Sequence, residues 1–149
     1  MRVLVIGAGG VGSAFVTIAS GREAISHITV ADLSRERAEF AVSTASNNDR
    51  GDRVEATAVD ASSADAVAEL ARASKADVVL NACDPRFNPG IFDGAFAAGV
   101  NYIDMAMHMS VPHPDNPFGE IDVMLGQEQL DRTNDWAERE ILALCGMGV

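Results

Sequence analysis

The chain has 149 residues, 48% of them hydrophobic and 5% aromatic, which suits one compact domain and excludes a disordered chain. Twenty-two acidic residues against eleven basic ones give a formal net charge of −11, a field that disfavours nucleic acid and anionic membrane surfaces as partners. The imbalance is uneven: residues 1–99 carry thirteen acids and nine bases (−4), and residues 100–149 nine acids and two bases (−7).

Residues 2–6 form an apolar run of strand length, and a glycine turn after it leads into a helical pattern from about Gly12 to Ser20. The stretch 3–20 superficially resembles a signal peptide. Gly7, Gly9, Gly10 and Gly12 in its middle argue against that, since each weakens a helix by roughly 1 kcal/mol relative to Ala. Residues 28–32 predict a second strand, and a charged helix follows from Ser34, its N-cap, to about Ser46. Asn47 to Asp52 reads as a polar loop, and residues 53–59 alternate as an edge strand should. A third helix starts at Ser62 or Ser63.

Residues 76–82 are a short continuous apolar run, the pattern of a central parallel strand covered on both faces. Pro89 to Ala98 predicts a helix stopped by Gly99, and 100–104 a fifth strand. Residues 107–119 hold three of the five prolines and two of the three histidines and read as a functional loop. Ile121 to about Arg139 reads as one long acidic amphipathic helix, and a sixth strand closes the chain within 141–149. Strands alternating with helices predict an α/β fold: a single domain with a doubly wound, parallel, six-stranded Rossmann sheet of order 3-2-1-4-5-6. The apolar segment at 141–149 is expected to lead into a further domain downstream, which makes residues 1–149 the front part of a longer polypeptide.

Cys83 and Cys145 end the fourth and sixth strands in that order, with the fifth between them. Two inter-strand spacings, roughly 9.6 Å, exceed the roughly 7 Å that a disulfide spans between Cα atoms. Free thiols in a reducing, cytoplasmic compartment are expected.

Gly7-Ala8-Gly9-Gly10-Val11-Gly12 is a GxGxxG between a strand and a helix, and Asp32 ends the next strand twenty residues after Gly12. In that setting the three motif glycines permit a tight turn, close approach of a pyrophosphate to the backbone, and close packing of helix on sheet. Backbone N–H groups at the helix start then hold the phosphates, so an acidic protein needs no side-chain cation to bind an anion. Asp32, with Leu33 beside it, would meet the adenosine ribose. Its carboxylate favours NAD over NADP, although Ser34 and Arg35 lie close enough to hold a 2′-phosphate. Asp60 ends the third strand where an adenine edge would lie, and capping the next helix explains it nearly as well. A short-chain dehydrogenase needs a tyrosine with lysine four residues on; the single Tyr102 is followed by Ala106 at that distance.

From Arg2 onward the chain resembles the NAD(P)-binding domain of the saccharopine dehydrogenase family. The likeness lies in residues 3–12, in Val-Leu-Asn-Ala at 79–82, and in the more distinctive Gly-Ala-Phe-Ala-Ala-Gly-Val-Asn-Tyr-Ile-Asp-Met-Ala at 94–106. The terminal Leu-Ala-Leu-Cys-Gly-Met-Gly-Val looks like that family's crossing into its second domain, without the Asp-Pro-Gly that usually follows. The resemblance implies an oxidoreductase that moves hydride between NAD(P) and the C–N bond of an imine or secondary amine of an amino acid, as in lysine metabolism. It implies that Asn81 and Ala82 line the nicotinamide side and that Asp104 borders a small-molecule substrate. The family's substrate-binding residues lie beyond residue 149, so the catalytic residues stay unassigned and this segment alone is expected to turn over little. A homodimer through the downstream domain is among the expectations. The competing reading is a nucleotide-sensing regulatory module without catalysis.

His108 and His113, with Asp104 and Asp115, can be drawn as a metal site, but the spacing matches no zinc signature and no metal is expected. His108 as a proton relay ranks above that, and solvated loop histidines above both. Cys83 reads as a small packing residue and Lys75 as a solvated helix end.

Overall fold

The computed structural model describes residues 1–45 and 53–148. The loop expected at Asn47–Asp52 and the helix end at Ser46 lie outside them.

Strand β1 (Arg2–Ile6) passes through Gly7 into helix α1 (Gly10–Ala19), and the next units are β2 (His27–Asp32), α2 (Arg35–Ala45), β3 (Val54–Ala58) and α3 (Ala64–Ala73). Ser34 caps α2 and Ser63 caps α3, each hydroxyl oxygen accepting at 3.3 Å from a backbone N–H of the first turn. Lys75 is exposed just past α3, with a left-handed φ of 52°. Strand β4 (Val78–Asn81) runs into a 3-10 turn (Pro85–Phe87) and α4 (Asn88–Ala98), which ends on Gly99 at φ 73°. Then come β5 (Asn101–Asp104), the hairpin β6 (Val111–Pro112) and β7 (Ile121–Val123), short helices α5 (Gln127–Leu130) and α6 (Thr133–Glu138), and β8 (Ala143–Leu144).

The main sheet is wholly parallel, in the order β3-β2-β1-β4-β5-β8. This is the expected doubly wound order; its sixth strand is numbered β8 because the hairpin inserts two short strands before it. Alternation along β1 divides the core. Val3 and Val5 pack with Val16, Ala38 and Ala41 of α1 and α2, whereas Leu4 and Ile6 pack with Val67, Ile91 and Phe92 of α3 and α4.

Right-handed crossovers place α1 and α2 on one face of the first three strands and the later helices on the other. The α1 face therefore stays open beyond β4. Val79 and Leu80 of β4 are buried, but Ile103, Met105, Leu142 and Leu144 line an apolar groove of about 430 Å³, with Leu142 55% exposed.

The long helix expected over Ile121–Arg139 does not form. Ile121 and Val123 pair with the Val111–Pro112 strand, so part of the expected 107–119 loop is also a hairpin. Gly126, at φ 70°, then turns the chain before α5. Alternating β-branched residues at 121–123 and a left-handed glycine oppose a continuous helix. Trp136 fixes α6: it is 3% exposed and its ring lies 4.8 Å from Phe92, 5.4 Å from Phe96 and 6.2 Å from Tyr102. Arg132 and Arg139 cover Phe96 from outside at 4.4 and 4.0 Å.

Candidate nucleotide-binding cleft

The carboxyl ends of β1 to β4 open on a cleft of about 380 Å³, at the topological switch point between β1 and β4. Gly7, Gly9, Asp32, Leu33, Asp60 and Ala82 line it. The glycine turn is shaped by contact. At Gly7 φ is 103°, and a Cβ there would stand 2.8 Å from the Ala82 carbonyl oxygen; at Gly12 it would stand 1.9 Å from the Gly7 oxygen. Both positions therefore need glycine to seat β1 and α1 against β4. Gly9 and Gly10 differ: a Cβ would meet only Arg37 Nη2 at 3.7 Å at Gly9 and nothing within 4 Å at Gly10. That backbone is open to approach. Gly9 is the N-cap of α1 and no side chain caps the helix there, so among the described residues the first-turn amides of Gly10, Val11 and Gly12 have no side-chain acceptor. Room beside the backbone and an uncapped, partially positive helix start fit a pyrophosphate. Ala8 is buried and Val11 is 53% exposed; neither side chain lines the cleft.

Asp32 is held firmly. Its Oδ2 accepts from Ala8 N–H at 2.8 Å and its Oδ1 from Ser34 N–H at 3.1 Å, and the side chain is 10% exposed. The carboxylate thus ties the glycine turn to the end of β2. Asp60 is exposed at the cleft; its Oδ1 accepts from Ser62 N–H and from the Ser62 hydroxyl, which hold its carboxyl below the usual range. Both readings of Asp60 persist in the geometry, since it orders the turn before α3 and lines the cleft.

Asn81 is 1% exposed and its side chain is absent from the cleft lining. Its Nδ2 donates to Asn88 Oδ1 (2.7 Å) and Tyr102 Oη (3.0 Å), and its Oδ1 accepts from Cys83 N–H (3.0 Å). It positions the peptide after Ala82 from behind. The same network continues through Tyr102 to Asp104, whose oxygens also accept from Gln129 Nε2 (2.7 Å) and Gly146 N–H (2.6 Å). The carboxyl ends of β4, β5 and β8 are thereby joined inside the protein.

Arg37, Cys83, Asp84 and Phe87 also face the cleft. The N-cap at Ser34 could have revealed Arg37, because a residue three positions into a helix leans its side chain back toward the helix start. Cys83 is a packing thiol: burial, then the Asp32 charge, push it up to about 11, and Cys145 rises by burial to about 12. Both cysteines are free.

The structure does not gather His108, His113, Asp104 and Asp115 into one cluster. Asp104 is buried in its network, and His113 Nδ1 accepts from Asp115 N–H at 3.3 Å. His108 lies off the cleft in a separate cavity of about 160 Å³, 3.7 Å from Glu128. Among the described residues, no helix is long and apolar enough to cross a membrane.

The family described as "Saccharopine dehydrogenase NADP binding domain" matches residues 3–145. The chain belongs to that family. Carboxynorspermidine synthase of Vibrio cholerae is 30% identical over 116 residues, 74% of this chain and 28% of that protein. The synthase of that name from Vibrio alginolyticus is 28% identical over 141 residues, 91% of this chain and 31% of its own. The apo structure of saccharopine dehydrogenase (L-Glu forming) from Saccharomyces cerevisiae superposes with a TM-score of 0.69 at 14% identity. That match covers 98% of this chain and 27% of the yeast one and speaks to the fold. The chain spans about a third or less of the length of these relatives. As a member of this family it is an NAD(P)-binding domain.

Proposed function

We propose that this cleft holds the cofactor of an oxidoreductase that transfers hydride between NAD(P) and a C–N bond, within a protein longer than this domain. The observation that carries the cofactor part is the uncapped start of α1 beside open backbone at Gly9 and Gly10, with Gly9 in one cleft with Asp32. Bound NAD(P) supplies or accepts the hydride; the residues of this chain bind and orient it. The Gly9–Gly12 turn takes the pyrophosphate, Asp32 and Leu33 the adenosine ribose, Asp60 the adenine edge, and Ala82 the nicotinamide side. Asp32 keeps unused acceptor positions for ribose hydroxyls, which supports NAD(H) as a cofactor.

The C–N chemistry rests on membership of the saccharopine dehydrogenase family and on kinship with the two carboxynorspermidine synthases. An amino-acid-derived imine or secondary amine is the substrate class this supports. Free thiols at Cys83 and Cys145 suit a reducing, cytoplasmic setting. Kinship with oxidoreductases weighs against a purely nucleotide-sensing module.

NADH is expected to raise the melting temperature of the domain, and Asp32→Ala to reduce that rise relative to its own ligand-free value. In the longer protein, NADH oxidation is expected with an oxo acid or semialdehyde only when an amine is also present. Turnover with the carbonyl compound alone would overturn the C–N reading.

A further inference from the structure

We infer that His108 is a positioning residue for the cofactor cleft: its protonated ring ties the turn after Cys83 to helix α5 and so fixes the wall on which the nicotinamide half of the cofactor rests. This rests on the cofactor reading above and adds a pH-dependent group that acts from outside the cleft.

Cys83, Asp84 and Phe87 line the cleft directly after Ala82. The Pro85–Phe87 turn that carries this wall is closed by Asn88 N–H, which donates to the Pro85 carbonyl. Two side-chain contacts join the turn to the segment after β5. Asn88 Nδ2 donates to the Ala106 carbonyl at 2.7 Å, and His108 Nδ1 lies 3.3 Å from the Pro85 carbonyl. The first joins uncharged groups and holds at any pH. The second involves a ring whose place is set by its own backbone, since His108 N–H donates to Gln129 Oε1 and its carbonyl accepts from Gly126 N–H, both at 2.8 Å.

The ring's protonation decides what it joins. A carbonyl only accepts, so Nδ1 carries a proton in the bond to Pro85. In the neutral ring Nε2 then has none, and it faces Glu128 Oε2 at 3.7 Å, acceptor against acceptor. A second proton turns Nε2 into a charged donor, and the ring spans from the Pro85 carbonyl to the Glu128 carboxylate. A glutamate keeps its charge over the range where a histidine titrates. The bridge is therefore complete on the acid side of neutrality and is lost as pH rises through the titration of the ring.

The other charges around the ring are engaged. Asp93 of α4 and Arg132, just before α6, line the same cavity and pair with each other; Arg132 Nε also meets Asp135 Oδ2 at 3.2 Å. Arg86, on the turn itself, pairs with Asp84 at 2.9 Å. Asp104, four residues back on the chain, is buried in its own network. Among the described residues Glu128 forms no other ion pair, which leaves it as the counter-charge for His108.

A wall already held in place leaves less to be ordered when the cofactor binds, so NADH should bind more tightly on the acid side. The test is fluorescence titration of the full chain with NADH at about pH 6 and about pH 8.5, for the natural sequence, His108→Gln and Glu128→Gln, with melting temperature as a folding control. ADP-ribose, which lacks the nicotinamide ring, serves as a competing probe of the rest of the cleft. We expect the natural chain to bind NADH about threefold more tightly at the lower pH, a size set by one half-exposed ion pair. Each substitution should remove most of that difference, Glu128→Gln while leaving the neutral tie to Pro85 intact, and neither should alter the pH dependence of ADP-ribose binding. A pH difference for NADH that persists in both variants, or one that the substitutions remove equally for ADP-ribose, overturns the inference. Equal binding of NADH by the natural chain at both pH values overturns it and leaves the cofactor reading standing. Binding of neither nucleotide at either pH overturns both.

Discussion

The Tyr102 hydroxyl donates to Asp104 Oδ2 at 2.9 Å, two residues along the same strand and on the same buried face of the sheet. Because that hydroxyl also accepts from Asn81 Nδ2, its proton has one direction, and Asp104 is left to accept three hydrogen bonds. Tyr102→Phe leaves the two flanking groups each short of a partner, and a loss of about 1–2 kcal/mol is expected. Asp104→Asn turns an amide donor toward donors, and a larger loss of about 2–4 kcal/mol is expected. Urea denaturation followed by circular dichroism ranks the two; an inverted ranking would show that Asp104 is not the acceptor hub.

Two glycines of one turn separate folding from binding. Gly12→Ala drives a Cβ to 1.9 Å from the Gly7 carbonyl, so a loss of about 2–3 kcal/mol is expected, because the obstacle is backbone. Gly9→Ala meets only ordinary contact with Arg37. It is expected to keep its melting temperature within a few degrees and to lose most of the NADH-induced rise, since the methyl group stands where a phosphate must approach. A Gly9→Ala protein that binds NADH like the natural chain would place the pyrophosphate elsewhere.

Cys83 reports on the cleft. With its thiol raised to about 11, about a hundredfold less thiolate is present at pH 8 than for an ordinary cysteine, so alkylation by iodoacetamide is expected to be correspondingly slow. Saturating NADH is expected to slow it further, as Cys83 lines the cleft. Mass spectrometry of the Cys83 peptide distinguishes this from reaction at Cys145. Acceleration by NADH would contradict the proposed occupancy.

Trp136 anchors the short helices after the hairpin. Trp136→Ala removes a ring packed on Phe92, Phe96 and Tyr102, and a loss of about 3–5 kcal/mol is expected in thermal or urea unfolding. A loss below about 1 kcal/mol would mean that α6 is not part of the cooperative core.

The glycine turn, Asp32 and the strand order were legible because each is enforced by local chemistry: short-range spacing for the turn, and crossover handedness for the order. Arg37 was hidden because only a side-chain direction, not a spacing, brings it back over Asp32. Asn81 reads as a cleft residue by its place at the end of β4, yet its side chain faces the core, since its partners Asn88 and Tyr102 lie there. The region 121–139 misleads for a different reason. Its acidic, helix-tolerant composition masks two tertiary determinants, the pairing of Ile121–Val123 with Val111–Pro112 and the left-handed turn at Gly126.

Strand β8 joins the sheet through only two register pairs, Tyr102 with Ala143 and Ile103 with Leu144, and the turn after it is tied to Asp104 by Gly146 N–H. Detachment of this margin breaks few ladder bonds, yet it releases one of the three donors that hold the Asp104 carboxylate. Amide hydrogens there are expected to exchange with deuterium long before those of β1, and in step with the Gly146 amide. The sheet would then come apart from β8 inward, with the glycine turn and its cleft among the last parts to open.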